Sequence, residues 1–253
     1  MFMNSTKDKL ENETPHFGNT LLGAVPSVVY NEDCVEGMKR YPDKYFDLAI
    51  VDPPYGIGAG KKSFQSGTRK SYSHTDKDWD ASTPTDEYWN ELFRVSKNQI
   101  VWGANYYANK LPISRGWVYW HKMVLTDNYS QGELAWTSFD CVMKFVEYKY
   151  QGNYLGFRNS ITTQSSTKEE VRIHPTQKPI ALYEWLLKEF AQEGNLILDT
   201  HLGSGSSRIA CQKNGFNLTG FEIDEDYYKA QEKRFKDFVS QLRMFWGVRQ
   251  HCT

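Results

Sequence analysis

Two apolar runs of strand length stop abruptly at residues that cannot continue a strand. Residues 46–51 run into Asp52-Pro53-Pro54-Tyr55-Gly56. Residues 196–198 run into Asp199-Thr200-His201-Leu202-Gly203-Ser204-Gly205. Short apolar runs bounded by such turns suit strands buried on both faces. A strand at 27–30 and a helical stretch at 34–40 precede the first run. A helix at 206–214 and a strand at 218–223 follow the second. This strand–helix–strand rhythm predicts a parallel sheet, with both breaks at its carboxyl edge, where open α/β sheets bind ligands.

The remaining pattern fits one such domain. Helices are expected at 88–96, 179–190 and 224–245, strands at 99–102 and 117–120, and one or two strands or a hairpin within 139–150. Residues 1–20 are polar and read as a flexible arm. Residues 21–253 then form a single domain, consistent with about 100–200 residues per domain. It carries a basic loop at 56–75 and a small polar insertion at 151–172.

Charge excludes one class of partner surface. Thirty Lys and Arg against 31 Asp and Glu leave a net charge of −1, so a uniformly basic coat is ruled out. A polyanion must be met by local segregation of charge. The 56–75 segment has that segregation: Lys61, Lys62, Arg69 and Lys70, no acids, and Tyr72 as an aromatic platform. Cys34, Cys141, Cys211 and Cys252 form no C-x2-C pair. Neither a metal knuckle nor a disulfide framework is expected, and free thiols fit a cytoplasmic location. The longest stretch without Asp, Glu, Lys or Arg, residues 16–31, contains Gly, Asn, Thr and Pro, so no membrane span is expected there. The polar start lacks the apolar core of a signal peptide.

The second break has the form of a nucleotide half-site. Gly203 and Gly205 allow close backbone approach at a strand end. Glu222 lies about 20 residues further on, where an acid can accept hydrogen bonds from ribose hydroxyls. The full GxGxxG and a phosphate-binding Gly-Lys-Ser run are both missing, so pyrophosphate cradling is poorly supported. A nucleoside without phosphate, such as S-adenosylmethionine, fits better. A plain glycine turn between strand and helix is the alternative.

The first break has the form of an acceptor edge. Pro53 and Pro54 remove two N–H donors and fix φ. What remains is the Asp52 carboxylate and the Pro53 carbonyl, a pair suited to a group with two N–H donors. Tyr55 adds a ring that can stack on a base. An exocyclic base amine is a weak nucleophile because its lone pair is delocalised into the ring. Two acceptors on its protons favour a pyramidal nitrogen, freed for in-line displacement at the methyl of a sulfonium. A strand-terminating Asp-Pro-Pro turn is the alternative here.

Taken together, Asp52-Pro53-Pro54-Tyr55, His174-Pro175-Thr176-Gln177-Lys178-Pro179, Asp199 to Gly205 and Phe221-Glu222-Ile223-Asp224 resemble the motifs of the amino-group DNA methyltransferases. Their order resembles that of the circularly permuted beta group, over residues 27–245. Asn31-Glu32-Asp33-Cys34 also resembles the family's short acidic turn. The resemblance implies a Rossmann-like methyltransferase fold, with a mixed, mostly parallel sheet, helices on both faces and S-adenosylmethionine as cofactor. It implies that Asp52, Pro53 and Pro54 hold the target amine and Tyr55 stacks on the flipped base. It assigns Asp33, Asp52, Thr176, Lys178, Asp199, His201, Gly203, Ser204, Gly205, Glu222 and Ile223 to the cofactor, Lys178 and Thr176 closing the methionine pocket. Double-stranded DNA is the implied partner, gripped by Lys61, Lys62, Arg69, Lys70, Tyr72, Arg158, Lys168 and Arg172, with 151–172 reading bases.

The chain departs from the family at Thr200-His201, where Pro-Phe is usual. Adenine N6 is the expected target, Asp in the first motif position being commoner with adenine. Cytosine N4, an RNA amine or protein amide, and an inactive DNA-binding relative are the alternatives. A homodimer and a cognate restriction endonuclease stay open as partners. The expected setting is the cytoplasm of a bacterial or phage-infected cell.

Overall fold

Side chains alternate between two buried faces along the central strands and produce two apolar layers. The computed structural model describes residues 26–59, 78–124, 130–151, 154–155 and 172–249. Along the chain these form β1 (Ser27–Tyr30), α1 (Cys34–Met38), β2 (Phe46–Val51), α2 (Asp86–Val95), β3 (Ser96–Trp102), β4 (Trp117–His121), β5 (Gly132–Thr137), β6 (Lys144–Glu147), β7 (Tyr150–Gln151), β8 (Tyr154–Leu155), α3 (Ile180–Phe190), β9 (Leu196–Asp199), α4 (Ser206–Asn214), β10 (Asn217–Phe221) and α5 (Glu225–Arg249). In β2, Leu48 and Ile50 join one core cluster and Ala49 and Val51 the other. The first cluster takes Leu182, Leu186 and Leu187 from α3 and Ala210 from α4. The second takes Met38 from α1 and Tyr88, Trp89, Leu92 and Val95 from α2. Helices therefore cover both faces of the sheet.

The main sheet runs β1-β10-β9-β2-β3-β5-β4-β6. The first five strands are mutually parallel. β5 is antiparallel to both β3 and β4, and β6 runs parallel to β4. The expected mixed, mostly parallel sheet is present. So is the permuted arrangement: β1 pairs with β10, bringing the start of the fold beside the last strand. Parallel pairing puts the carboxyl ends of β1, β10, β9 and β2 side by side on one edge.

Two expectations are corrected. β5 occupies 132–137, where no strand was expected; Gly132 and Glu133 at its start break the apolar pattern. Within 139–150, only β6 and the first residue of β7 are extended, and the hairpin forms later, between β7 and β8. Val142, Met143 and Phe145 supply strand-like apolarity there, yet all three are exposed at the end of the sheet. The arm at 1–20, most of the basic loop and most of the insertion lie outside the described residues. Among the described residues no helix is long and apolar enough to cross a membrane.

Ile50 is 1% exposed in the central strand. Ile50→Ala is expected to lower unfolding stability by roughly 2–5 kcal/mol, read as a reduced urea midpoint with an unchanged slope.

Candidate active site

Asp52 directly follows β2, and with the next three residues it builds a hydrogen-bonded corner. The Tyr55 hydroxyl donates to Asp52 Oδ1 at 2.6 Å. Lys178 Nζ lies 2.5 Å from Asp52 Oδ2 and 3.2 Å from the Tyr55 hydroxyl oxygen. The Tyr55 ring stacks on Tyr106 at 4.9 Å and 14°. The Tyr107 hydroxyl lies 2.6 Å from both the Pro53 and the Pro54 carbonyl oxygens. With one proton, it donates to one of them at a time. The two expected acceptors, Asp52 and the Pro53 carbonyl, are thus together at the strand end, each already met by a side-chain donor.

The turn after this corner is held from a distance. Asp80, 2% exposed, accepts the Gly56 N–H at 2.9 Å and the Ala59 N–H at 2.7 Å. Sequence reasoning placed Asp80 only in an acidic stretch. Nothing local marks it, because its partners lie more than twenty residues back.

The neighbouring strand ends form a second cluster. Gly203 (φ +51°) and Gly205 (φ +71°) adopt left-handed backbone that favours glycine, and Gly205 starts α4. Glu222 Oε2 accepts the Gly203 N–H and Oε1 the Asp224 N–H, both at 2.8 Å. One carboxylate therefore ties the β9–α4 turn to the exit of β10. Ile223 beside it is 64% exposed. Asp33 caps α1 at the end of β1, accepting from Val35 N and Glu36 N. Ser204 Oγ lies 3.1 Å from Ser206 Oγ. Thr176 Oγ1 lies 3.2 Å from His174 Nδ1, and the His174 ring packs between Trp79 and Tyr227.

The Thr200-His201 departure has a structural account. The Tyr88 hydroxyl and Thr200 Oγ1 are 2.9 Å apart, and Thr200 Oγ1 is 2.9 Å from His201 Nδ1. Burial pulls the His201 pKa down to about 4, so the ring is neutral. Nδ1 can then accept from Thr200, which accepts from Tyr88. The His201 ring is set edge-to-face against Tyr88 at 5.4 Å.

Burial dominates the electrostatics. Asp52 is pushed up by burial; Lys178 opposes this and Glu133 adds to it. Burial works against the Lys178 charge, but Asp52 and Glu133 hold its pKa above the ordinary lysine value. Burial raises Asp199 to about 7 although it accepts from Ser207 Oγ at 2.5 Å and His201 N at 3.1 Å. The Cys34 thiol is pushed to about 12 by burial, then by Asp33, which leaves it a poor nucleophile.

The site residues divide into three groups. Asp52, Pro53, Pro54, Tyr55 and Lys178 meet at the end of β2. Asp33, Asp199, His201, Gly203, Ser204, Gly205, Glu222 and Ile223 line the ends of β1, β9 and β10. Lys178 contacts the Asp52 carboxylate directly, as a buried ammonium goes to buried carboxylates. Lys61, Lys62, Arg69, Lys70, Tyr72, Arg158 and Lys168 lie outside the described residues, while Arg172 is half-buried before the His174 segment. Glu133 and Lys122, absent from the sequence reading, extend the Asp52 corner. Among the described residues no cluster of His, Cys, Asp and Glu could hold a metal.

Residues 120–233 match the family model described as DNA methylase. The match includes Lys178, the Gly203–Gly205 turn and Glu222 and stops short of Asp52. The type II methyltransferase M.HpaI of Haemophilus parainfluenzae is 23% identical over 243 residues, covering 80% of this chain and 72% of its own. The PvuII DNA methyltransferase, described as cytosine-N4-specific, superposes with a TM-score of 0.56 at 12% identity, over 84% of this chain and 87% of its own. The M1.HpyAVI–SAM complex gives 0.50 at 19%, over 82% and 99%. The chain has the Rossmann-like α/β fold of these two structures.

Asp199 and His201 predict opposing pH slopes. Asp199 holds its proton more tightly folded than unfolded, so its contribution to stability is present below about pH 4 and is lost as pH rises to about 7. His201 holds its proton less tightly folded, so its contribution is lost as pH falls from 6.5 to about 4. His201→Asn should therefore tilt stability towards low pH, and Asp199→Asn towards neutral pH. Urea midpoints between about pH 4 and 7 check both signs.

Proposed function

We propose that this chain is a DNA methyltransferase that uses S-adenosylmethionine to methylate the N6 amine of adenine in a base flipped out of double-stranded DNA. The observation that carries the reading is one shared sheet edge. On it, the Asp52-Pro53-Pro54-Tyr55 acceptor corner stands beside a glycine turn clamped by Glu222, in a chain matched over 120–233 by the DNA methylase family. The structural likeness to the M1.HpyAVI–SAM complex supports the cofactor assignment.

The residues present fit that cofactor. Each Glu222 oxygen accepts one backbone N–H, which holds the carboxylate at the end of β10, where an acid can meet the ribose hydroxyls. Ile223 offers exposed apolar surface to an adenine ring. Asp33, Asp199, His201, Gly203, Ser204, Gly205 and Thr176 complete the assignment. When bound, the cofactor supplies the electrophilic methyl. Asp52 and the Pro53 carbonyl accept the two amine protons, which localises the nitrogen lone pair and orients it. Tyr55, backed by Tyr106, stacks on the base. In-line transfer would exchange the methyl's bond to the sulfonium sulfur, which leaves as a neutral thioether, for the new N–C bond, and the amine proton then released would depart through the Asp52 carboxylate to solvent. Lys61, Lys62, Arg69, Lys70, Tyr72, Arg158, Lys168 and Arg172 grip the DNA and repay the cost of flipping.

Cytosine N4 is the second reading. The acceptor corner serves either amine, and the likeness to the cytosine-N4-specific PvuII enzyme favours it.

Incubation with mixed-sequence duplex DNA and methyl-deuterated cofactor, followed by nucleoside mass spectrometry, tests the reading. Labelled N6-methyladenine is expected, and Asp52→Ala should abolish the label while cofactor binding persists. Labelled N4-methylcytosine would keep the mechanism and change the base; normal labelling by Asp52→Ala would overturn the mechanism. Glu222→Ala is expected to weaken cofactor binding by at least about tenfold, ~1.4 kcal/mol, measured by calorimetry.

A further inference from the structure

An alternating ladder of four charged side chains runs inward from the proposed amine site. Lys178 Nζ is 2.5 Å from Asp52 Oδ2 and 3.0 Å from Glu133 Oε2. Lys122 Nζ is 2.5 Å from Glu133 Oε1. The four side chains are 2–18% exposed. Lys178 also lies over the Trp102 ring at 5.4 Å and the Tyr55 ring at 5.7 Å, so aromatic faces close off its remaining sides.

The sheet topology makes the ladder. β5 runs antiparallel to β3, with Trp102 opposite Ala135. The amino end of β5 therefore arrives at the edge where β2 and β3 finish, and Glu133 lies two residues beyond Ala135. Lys122 follows β4 directly, with Trp120 opposite Glu133. A parallel β5 would have sent Glu133 to the other end of the sheet.

Stability does not account for these charges. Removing four charges from water costs several kcal/mol per ion before pairing, and apolar groups of similar volume often hold a fold as well. The ladder's effect falls on the Asp52 carboxylate.

We propose that Glu133 is a positioning residue for methyl transfer: by sharing Lys178 with Asp52, it leaves the Asp52 carboxylate fixed in direction and only partly neutralised by the ammonium, so that it remains a strong acceptor for the target amine. This rests on the assignment of Asp52 to the amine. Lys178 alone would saturate Asp52. Glu133 draws the ammonium back, and Lys122 limits how far Glu133 leans on it. The groups that act on or respond to Asp52 are Lys178 ahead of α3, Glu133 on β5, Tyr55 in the same corner, Tyr107 beyond β3, Tyr88 from α2, Tyr183 from α3 and Asp199 from β9. Among the groups acting on Asp52 itself, Glu133 is the charged one that raises its proton affinity and Lys178 the one that lowers it.

Two substitutions with opposite expected signs test this in the full chain. Glu133→Gln leaves Lys178 wholly on Asp52, so the carboxyl-carbon titration of Asp52, followed by ¹³C-aspartate NMR, should move to lower pH. Lys122→Met lets Glu133 lean on Lys178, and the same midpoint should move to higher pH. On labelled-cofactor turnover, Glu133→Gln should lower kcat by at least about tenfold, ~1.4 kcal/mol of barrier, with KM for DNA and cofactor unchanged, and Glu133→Asp should recover part of it. The acid limb of the rate profile should follow the Asp52 midpoint in each variant. Unmoved midpoints, shifts of the same sign in both variants, or a change confined to KM would overturn the proposal. If the wild-type chain labels no base, the methyltransferase reading fails while the Asp52 titrations still decide whether Glu133 shares Lys178.

Discussion

The Asp52–Lys178 ion pair joins what the chain order separates. Asp52 directly follows the second strand and Lys178 precedes the third helix, 126 positions later in the sequence. Their contact requires β2 to lie beside β9 in the middle of the sheet and α3 to start above that junction. An ion pair buried this deeply breaks at high cost when one partner is removed, because the other charge is left without compensation. It therefore specifies the register between the two halves at the point where the chemistry is proposed.

The antiparallel strand between β3 and β4 does what a purely parallel sheet cannot. Parallel strands deliver only their carboxyl ends to the ligand edge. By reversing, β5 delivers an amino end, and with it Glu133, to the same place. At the far end of the sheet, Val142, Met143 and Phe145 face solvent around β6.

Much of this was legible in the sequence, and the exceptions have physical reasons. Phe46–Val51 is readable because apolar runs stopped by Asp-Pro-Pro have few other homes, and the permuted motif order anticipated a sheet shared between the start and the end of the fold. Pro179 and the apolar spacing behind it located α3. Glu133 and Asp80 were not legible. Each is an acid in a polar-looking stretch, and each acts on a partner distant in sequence. Periodicity sees neighbours along the chain and is blind to that. Lys178 was recognised as a site residue, but its pairing with Asp52 was not legible, since a motif marks a position without saying which carboxylate will be nearest. Thr200-His201 read only as a departure from Pro-Phe; the Tyr88 hydroxyl, more than a hundred residues away, meets Thr200, which in turn meets the His201 ring.

Four acids sit at the carboxyl ends of four adjacent strands, and their donors separate their roles. Asp33 accepts from Val35 N and Glu36 N. Glu222 accepts from Gly203 N and Asp224 N. Asp199 accepts from His201 N and the Ser207 hydroxyl. Backbone donors cannot turn away without unfolding the turn that carries them, so these three carboxylates are fixed parts of the edge. Asp52 is met by a lysine ammonium and a tyrosine hydroxyl, both at the ends of rotatable side chains. It is the one acid of the four whose partners can shift within a single rotamer change and make room for an incoming amine. That difference in donor type, more than burial or charge, sets Asp52 apart from the structural acids around it.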